Sequence, residues 1–406
     1  MSLFREIPPT AGIPLYWRDL MSIFKVKDPK GVLERDFKNY FDVEYVRVTC
    51  SGTAALYLIL EALKGLSSHK TVIIPSFVCP LVPLAIRRAG LNVEICDINR
   101  NDFNFNSEEL DKLCLVNPDI LAIVPVHLGG IPLDLDPIKK ISEKYETYLI
   151  EDCAQSLGAT YRGRKVGTRG DFSFFSLCRG KGLTLYEGGV IVTSNKDYGV
   201  QMDGTIDKVV KDDLILETIR VLELLGYWLF YHPSFFWFVF RLPQIFWNLQ
   251  GKKFKALMEY FTVDFPIHRV SAIRRLIGHV HFHHLEEEIE KQGQKASYYT
   301  ERLRDIEEIR VIKAPEGSRA NYPYLTLIFD TPEQRELALK RFEKSGLGVS
   351  QIYACAITDY DYLKPILPDR LCPNARYLAE REITLSTSTF LQEEDLDSVL
   401  EILRDS

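Results

Sequence analysis

The chain has 406 residues, 46% apolar and 26% charged, which is enough for one large domain with a smaller partner around a sizeable core. A net charge of −6, with no basic run interleaved with aromatics, excludes a large nucleic-acid footprint. Eight cysteines without a CxxC pair argue against a disulfide framework, and MSLFREIPPT lacks the basic-then-apolar pattern of a signal peptide, so free thiols and a cytoplasmic protein are expected.

The first 200 residues alternate helical and strand patterns. TAALYLILEAL at 53–63 has helical spacing and follows Ser51-Gly52, and residues 71–74 form an apolar run ending at Pro75. A second helical pattern spans 78–88, and short apolar runs follow at 93–97, 120–125 and 147–150. This rhythm predicts an α/β fold with a mostly parallel, buried sheet flanked by helices. Ligands gather at the carboxyl ends of such strands, which directs attention to Pro75-Ser76, His127, Asp152 and Lys181.

The stretch 224–240, LLGYWLFYHPSFFWFVF, holds seventeen residues with no Asp, Glu, Lys or Arg, nine of them aromatic. It is short for a membrane span and has His232-Pro233 at its centre. Packing inside the protein, a subunit contact, attachment to a membrane surface and a true span are the readings open to it. Beyond it, 270–303 reads as one long helix. A smaller α/β unit follows, with a strand at 324–329 and helices at 332–344, 374–382 and 393–404. The expected division is 1–269 as a large domain, with the aromatic-rich insertion at about 206–265, and 270–406 as the long helix with the small C-terminal domain.

Three features of the first part make chemical sense together. Ser51-Gly52-Thr53 opens a helix, where free backbone N–H groups and the helix dipole favour a phosphate, although a plain N-cap reads the same. Tyr148-Leu-Ile-Glu-Asp152 sets a carboxylate at a strand end. Lys181 lies between two glycines, five positions after Ser176. A phosphate cradle, a carboxylate and a lysine are the parts that hold pyridoxal 5'-phosphate: the amine condenses with the aldehyde, and the carboxylate keeps the ring nitrogen protonated. The glycines let the backbone turn tightly beside the cofactor.

The run EDCAQSLGATYRGRKVGTRGDFSFFSLCRGKGLTLYEGGVIVTSN resembles the central block of the DegT/StrS family of pyridoxal-phosphate-dependent sugar aminotransferases, of fold type I in the aspartate aminotransferase superfamily. CSGTAALYLILEAL, IVPVHLGGIPLDLDPI and PNARYLAEREITLSTSTFLQEEDLDSVLEIL resemble its outer segments. The resemblance implies a large cofactor-binding domain plus a smaller C-terminal α/β domain. It implies Lys181 as the cofactor-holding lysine and catalytic base, and Asp152 at the ring nitrogen. Gln155 would reach the ring hydroxyl, and Ser176 with Gly52 and Thr53 the phosphate. The implied reaction is amino transfer from an amino acid, usually glutamate, to a keto sugar, commonly nucleotide-linked, in amino-sugar and polysaccharide biosynthesis, by a homodimer. A related branch of sugar dehydratases has histidine at the lysine position; this chain has Lys181.

The pattern departs from the family at substrate and partner contacts. Cys79 occupies a position commonly aromatic, leaving Phe77 or another group to cover the ring face. Ile267-His268-Arg269 stands where the family often has Asn-Tyr-Arg reaching a neighbouring subunit. His127 and Tyr353 are the candidate substrate contacts. His279 and His283 share helical spacing, but no carboxylate or cysteine nearby in sequence completes a site, so no metal is assigned. Two alternatives stay open: a pyridoxal-phosphate enzyme acting on another carbonyl substrate near a membrane, and a non-catalytic binding or regulatory protein on the same fold.

Overall fold

Strands covered on both faces need continuous apolar runs, and TVIIP and ILAI are strands with every residue buried. The computed structural model describes residues 4–26 and 29–405; residues 1–3 of the N-terminal stretch, 27–28 and residue 406 of the C-terminal unit lie outside it. In chain order the strands of its first half are β1 (Tyr45–Thr49), β2 (Thr71–Pro75), β3 (Asn92–Cys96), β4 (Ile120–Ile123), β5 (Tyr148–Asp152), β6 (Thr160–Tyr161), β7 (Arg164–Lys165), β8 (Phe172–Ser176) and β9 (Gly189–Thr193). Then come β10 (Ile309–Val311), β11 (Ser318–Arg319), β12 (Tyr324–Phe329) and β13 (Glu382–Ser386).

Seven strands form the main sheet in the order β1-β9-β8-β5-β4-β2-β3. Only β9 runs antiparallel to its neighbours, so the expected mostly parallel sheet is what forms. The parallel strands therefore end at one edge, which gathers Thr49, Pro75, Asp152 and Ser176. Strand β9 starts at that edge, and Gly189 pairs with both Thr49 and Ser176. A Cβ on Gly189 would overlap the Ser51 carbonyl, so glycine is what lets the turn into the helix Gly52–Leu63 cross the sheet end.

A second sheet, β10-β12-β13, is antiparallel and carries the helices Leu285–Arg302, Pro332–Phe342 and Glu393–Arg404 on its own apolar core. Strand β12 serves two cores. Leu325, Leu327 and Phe329 face these helices, while Tyr324 and Ile328 face the core of the main sheet. Strands β11, β6 and β7 form a small separate ribbon.

Two expected helices differ. The span 270–303 is two helices, Ala272–Phe282 and Leu285–Arg302. At the break the His284 N–H bonds to the His281 carbonyl, three residues back, while its ring lies 3.1 Å from Asp19 and the buried His281 ring faces the Pro14 carbonyl. The helix expected over 374–382 is Pro373–Ala379, and Glu382 opens β13, whose backbone pairs with β12.

The aromatic stretch is not one helix either. It lies in Leu214–Phe230 and Pro233–Val239, broken at His232-Pro233, with Arg241–Leu249 following. Among the described residues no helix is long and apolar enough to cross a membrane. One face of the stretch is buried through Leu224, Tyr227 and Tyr231; the other leaves Trp228, Phe230, Phe235 and Phe238 exposed. The buried face packs on the N-terminal segment: the Tyr231 hydroxyl donates to the Thr10 carbonyl and accepts from the Gly12 N–H, each at 2.7 Å.

Candidate active site

Helix Gly52–Leu63 begins where β1 ends, and Ser51 is its N-cap, accepting the Ala54 N–H at 3.0 Å. The plain N-cap reading of Ser51 is thus correct, and the first-turn N–H groups of Gly52 and Thr53 have no partner within the helix. A Cβ on Gly52 would sit 3.2 Å from the Ser176 Cβ, so the helix end and the end of β8 close on each other. Together they make a small concave site rich in donors.

Lys181 follows β8 in a tight turn. Its N–H bonds to the Cys178 carbonyl at 3.1 Å, and Gly180 and Gly182 have φ of 75° and 27°, the left-handed region that glycine adopts without strain. A Cβ on Gly180 would overlap the Thr10 hydroxyl. The Lys181 side chain lines a small cavity with Thr10, Gln155, Ser176, Asn321 and Tyr324. Among the described residues its amine has no hydrogen bond or ion pair.

Asp152 closes β5 and is buried, 3% exposed. One carboxylate oxygen accepts the Ala154 N–H at 2.9 Å; the other has no partner among the described residues. Burial pushes its carboxyl up to about 6, against the Ala154 bond and the pull of the Lys181 ammonium. The same ammonium acts on the Cys79 thiol, which burial raises to about 11. The buried carboxylate and the thiol thus both lie within electrostatic reach of the Lys181 ammonium.

Gln155 is oriented by two donors. Its side-chain oxygen accepts the Gly129 N–H at 2.9 Å and the Tyr324 hydroxyl at 2.5 Å. The Gly129 N–H can only donate, so the amide nitrogen of Gln155 must be the free end, available to donate. Asn321, beside it, has a buried oxygen with no partner among the described residues.

His127 does not belong to this space as a substrate contact. Its Nδ1 accepts the Leu133 N–H at 2.9 Å, so Nε2 carries the proton and faces Glu151 at 3.1 Å. Both nitrogens are engaged inside the protein, leaving none for a sugar. Glu151 in turn accepts the N–H groups of Gly167, Arg169 and Gly170. Burial pushes its carboxyl up, but His127 and these amides outweigh that and hold it below the usual range. The Glu151–His127 pair thus fixes the loop behind β5. Cys153 joins them in a buried trio, with its thiol raised well above normal by burial.

Tyr353 is buried edge-on to Phe77, ring centroids 5.2 Å apart, within electrostatic reach of Cys79 and Asp152. Phe77 itself is 2% exposed and stacks on Phe103, so it is a core residue. His268 and Arg269 are taken up by the insertion. His268 lies 3.0 Å from buried Glu217, and Arg269 pairs with Asp212 at 3.0 Å. Sequence reading misses Thr10, Asn321 and Tyr324, which reach the site from distant segments.

The family model for the DegT/DnrJ/EryC1/StrS aminotransferase family matches residues 28–203 and 250–404. The chain belongs to that family. GDP-perosamine synthase of Caulobacter vibrioides is 35% identical over 169 residues, covering 42% of this chain and 45% of the relative. The chain thus aligns with about half the length of that relative. Among solved structures, a putative sugar aminotransferase from Streptococcus pneumoniae, Spr1654 in its PMP-form, superposes with a TM-score of 0.77 at 18% identity, covering 98% of each chain. Helicobacter pylori PseC, an aminotransferase involved in pseudoaminic acid biosynthesis, gives 0.77 at 16% identity over 99% of each. The fold is therefore that of these family members, and the family model leaves 204–249, which holds the whole aromatic stretch, unmatched.

Proposed function

We propose that the protein is a pyridoxal-phosphate-dependent aminotransferase that moves an amino group from an amino acid, glutamate by expectation, to a keto sugar. The observation that carries this reading is a lysine amine with no hydrogen bond or ion pair among the described residues, within electrostatic reach of a buried carboxylate that has one oxygen unengaged among them. The residues present fit the cofactor. Its phosphate suits the Gly52 and Thr53 N–H groups and Ser176, its ring nitrogen the free Asp152 oxygen, and its ring hydroxyl the free Gln155 amide.

When bound, pyridoxal phosphate supplies an electron sink for the carbon that loses a proton. The chain supplies the rest. Asp152 would keep the ring nitrogen protonated, and its burial makes an unpaired charge there unfavourable. With the cofactor bound, Lys181 would be the base that carries the proton, on a turn that Gly180 and Gly182 let bend tightly. Tyr324 and Gly129 hold Gln155 so that its nitrogen faces outward. The division near 269/270 belongs to the same reading, supported by the separate core around β10, β12 and β13.

Purified full-length protein mixed with pyridoxal phosphate is expected to show a visible absorption band that glutamate bleaches and a keto sugar restores. Lys181→Ala removes the band while the far-UV signal of the fold persists. No band in the wild type, or an intact band in Lys181→Ala, overturns the reading.

A further inference from the structure

Beside the lysine turn lies a second, much larger cavity of about 670 Å³, within the roughly 300–1,000 Å³ range of small-molecule sites. Its walls include Ile219, Leu222, Tyr227, Phe230, Phe236 and Phe240, from the segment the family model leaves unmatched. Thr10 and Gly180 line both this cavity and the small one that holds Lys181. The two spaces therefore meet at the residue before the lysine.

At that junction stands Arg179. It lies on the apolar cavity, is exposed, and has its guanidinium 5.3 Å from the Tyr186 ring centre; among the described residues it forms no ion pair. Glu223, the acid on the cavity wall, is paired with Arg220 at 2.6 Å. A cation at one end of an apolar cavity suits a ligand with a phosphate head and an aliphatic chain. The outer face of the same segment is consistent with where such a ligand resides. From 224 to 258 there is no Asp or Glu, while Arg241, Lys252, Lys253 and Lys255 are basic, and Trp228, Phe235, Phe238 and Phe246 are exposed. Exposed aromatics flanked by lysine and arginine without acids match an anionic lipid surface.

We propose that this cavity holds the aliphatic chain of the amino acceptor: a keto sugar carried on a lipid phosphate, with Arg179 at the phosphate and the sugar extending past Gly180 to Lys181. The assignment of the sugar rests on the aminotransferase reading; the assignment of the chain and phosphate rests on the cavity alone. Phosphate and chain must both be recognised, which separates this ligand from a nucleotide-linked sugar, whose carrier is polar throughout.

The probe is farnesyl phosphate, titrated by calorimetry into cofactor-loaded full-length protein, with inorganic phosphate and farnesol as separate arms. Farnesyl phosphate is expected to bind more tightly than either. Gly226 lines the cavity, and a Cβ added there meets only Phe230, at 3.8 Å, so Gly226→Phe fills the space without backbone strain. This variant is expected to weaken farnesyl phosphate about tenfold or more while its cofactor band shows it folded. Arg179→Gln is expected to weaken farnesyl phosphate and leave farnesol unchanged. Equal binding of farnesyl and inorganic phosphate overturns the proposal, as does an unchanged titration in Gly226→Phe. So does a dimer that Trp228→Glu dissociates and that excludes the probe, since the face is then a subunit contact. Failure of glutamate to bleach the wild-type band sinks the aminotransferase reading and leaves the titration standing, so the two failures are distinguishable.

Discussion

The Tyr324 hydroxyl donates to the side-chain oxygen of Gln155 at 2.5 Å, joining residues 169 positions apart. The second sheet thereby sets the orientation of a side chain beside the strand end that carries Asp152. Tyr324 is buried, so its hydroxyl needs this acceptor, and Gln155 with its oxygen doubly engaged keeps its nitrogen as the free donor. Tyr324→Phe removes one hydrogen bond worth about 1 kcal/mol, and cofactor affinity should fall roughly fivefold. Absorbance titration with pyridoxal phosphate measures it. Unchanged affinity would mean that Gly129 alone orients the amide.

Asp152→Asn tests the carboxylate separately from the lysine. Asparagine keeps the size and the acceptor for the Ala154 N–H but cannot keep a proton on the ring nitrogen. The visible band should survive, because Lys181 is intact, while bleaching by glutamate slows by about 100-fold or more. A stopped-flow trace of the band decides it, and wild-type speed would remove Asp152 from the chemistry.

The strand-end chemistry is legible in the sequence because each element is local. An apolar run, a polar residue at its end and glycines beside it encode Asp152, Ser176 and Lys181 within a few positions. Contacts between distant segments have no such local signal. Thr10 meets the lysine turn because Tyr231 ties the N-terminal segment to the insertion, and Asn321 and Tyr324 arrive on another sheet. His127 misleads for the same reason. Its place after a strand end resembles that of a site residue, and only its partners Leu133 and Glu151 show it turned inward. The break at His283-His284 is likewise hidden, because the helical pattern continues across it while Pro14 and Asp19, far off in the chain, hold His281 and His284.

Glu382 makes stability depend on pH. It is fully buried, its Oε1 accepts the Ile352 N–H at 2.7 Å, and its Oε2 has no partner among the described residues. Burial raises its carboxyl to about 8 from an ordinary 4.5. The folded state therefore binds this proton more tightly than the unfolded chain, so the group's contribution to stability is present below pH 4.5 and is lost as pH rises through 8. Glu382→Gln keeps the Ile352 bond and removes the ionisation. Its melting temperature should exceed the wild type's by a margin that grows from pH 5 to pH 9. A constant margin across that range would show that Glu382 does not titrate there.

The insertion is coupled to the lysine turn through a buried ion pair, beside the Arg220–Glu187 pair at 2.8 Å. Glu217, on the helix Leu214–Phe230, accepts from Arg274 and from the Ser271 N–H and lies against His268. Burial raises the Glu217 carboxyl, but His268 and Arg274 outweigh that and hold it far below the usual range. Arg274, fully buried, also donates to the carbonyls of Leu185 and Glu187, a few residues beyond Lys181. Glu217→Ala leaves that guanidinium uncompensated, which destabilises by about 3–5 kcal/mol. The damage should reach the turn, so hydrogen exchange at 179–188 should accelerate along with exchange in the insertion. Replacing both partners, as in Glu217→Leu with Arg274→Met, removes the stranded charge and should restore part of the lost stability, though not the protection of the turn, whose carbonyls lose the Arg274 donors. Chemical denaturation of the single and double variants checks the first expectation, and mass-resolved hydrogen exchange the second. If the double variant is no more stable than Glu217→Ala, the loss comes from packing and not from the unpaired arginine.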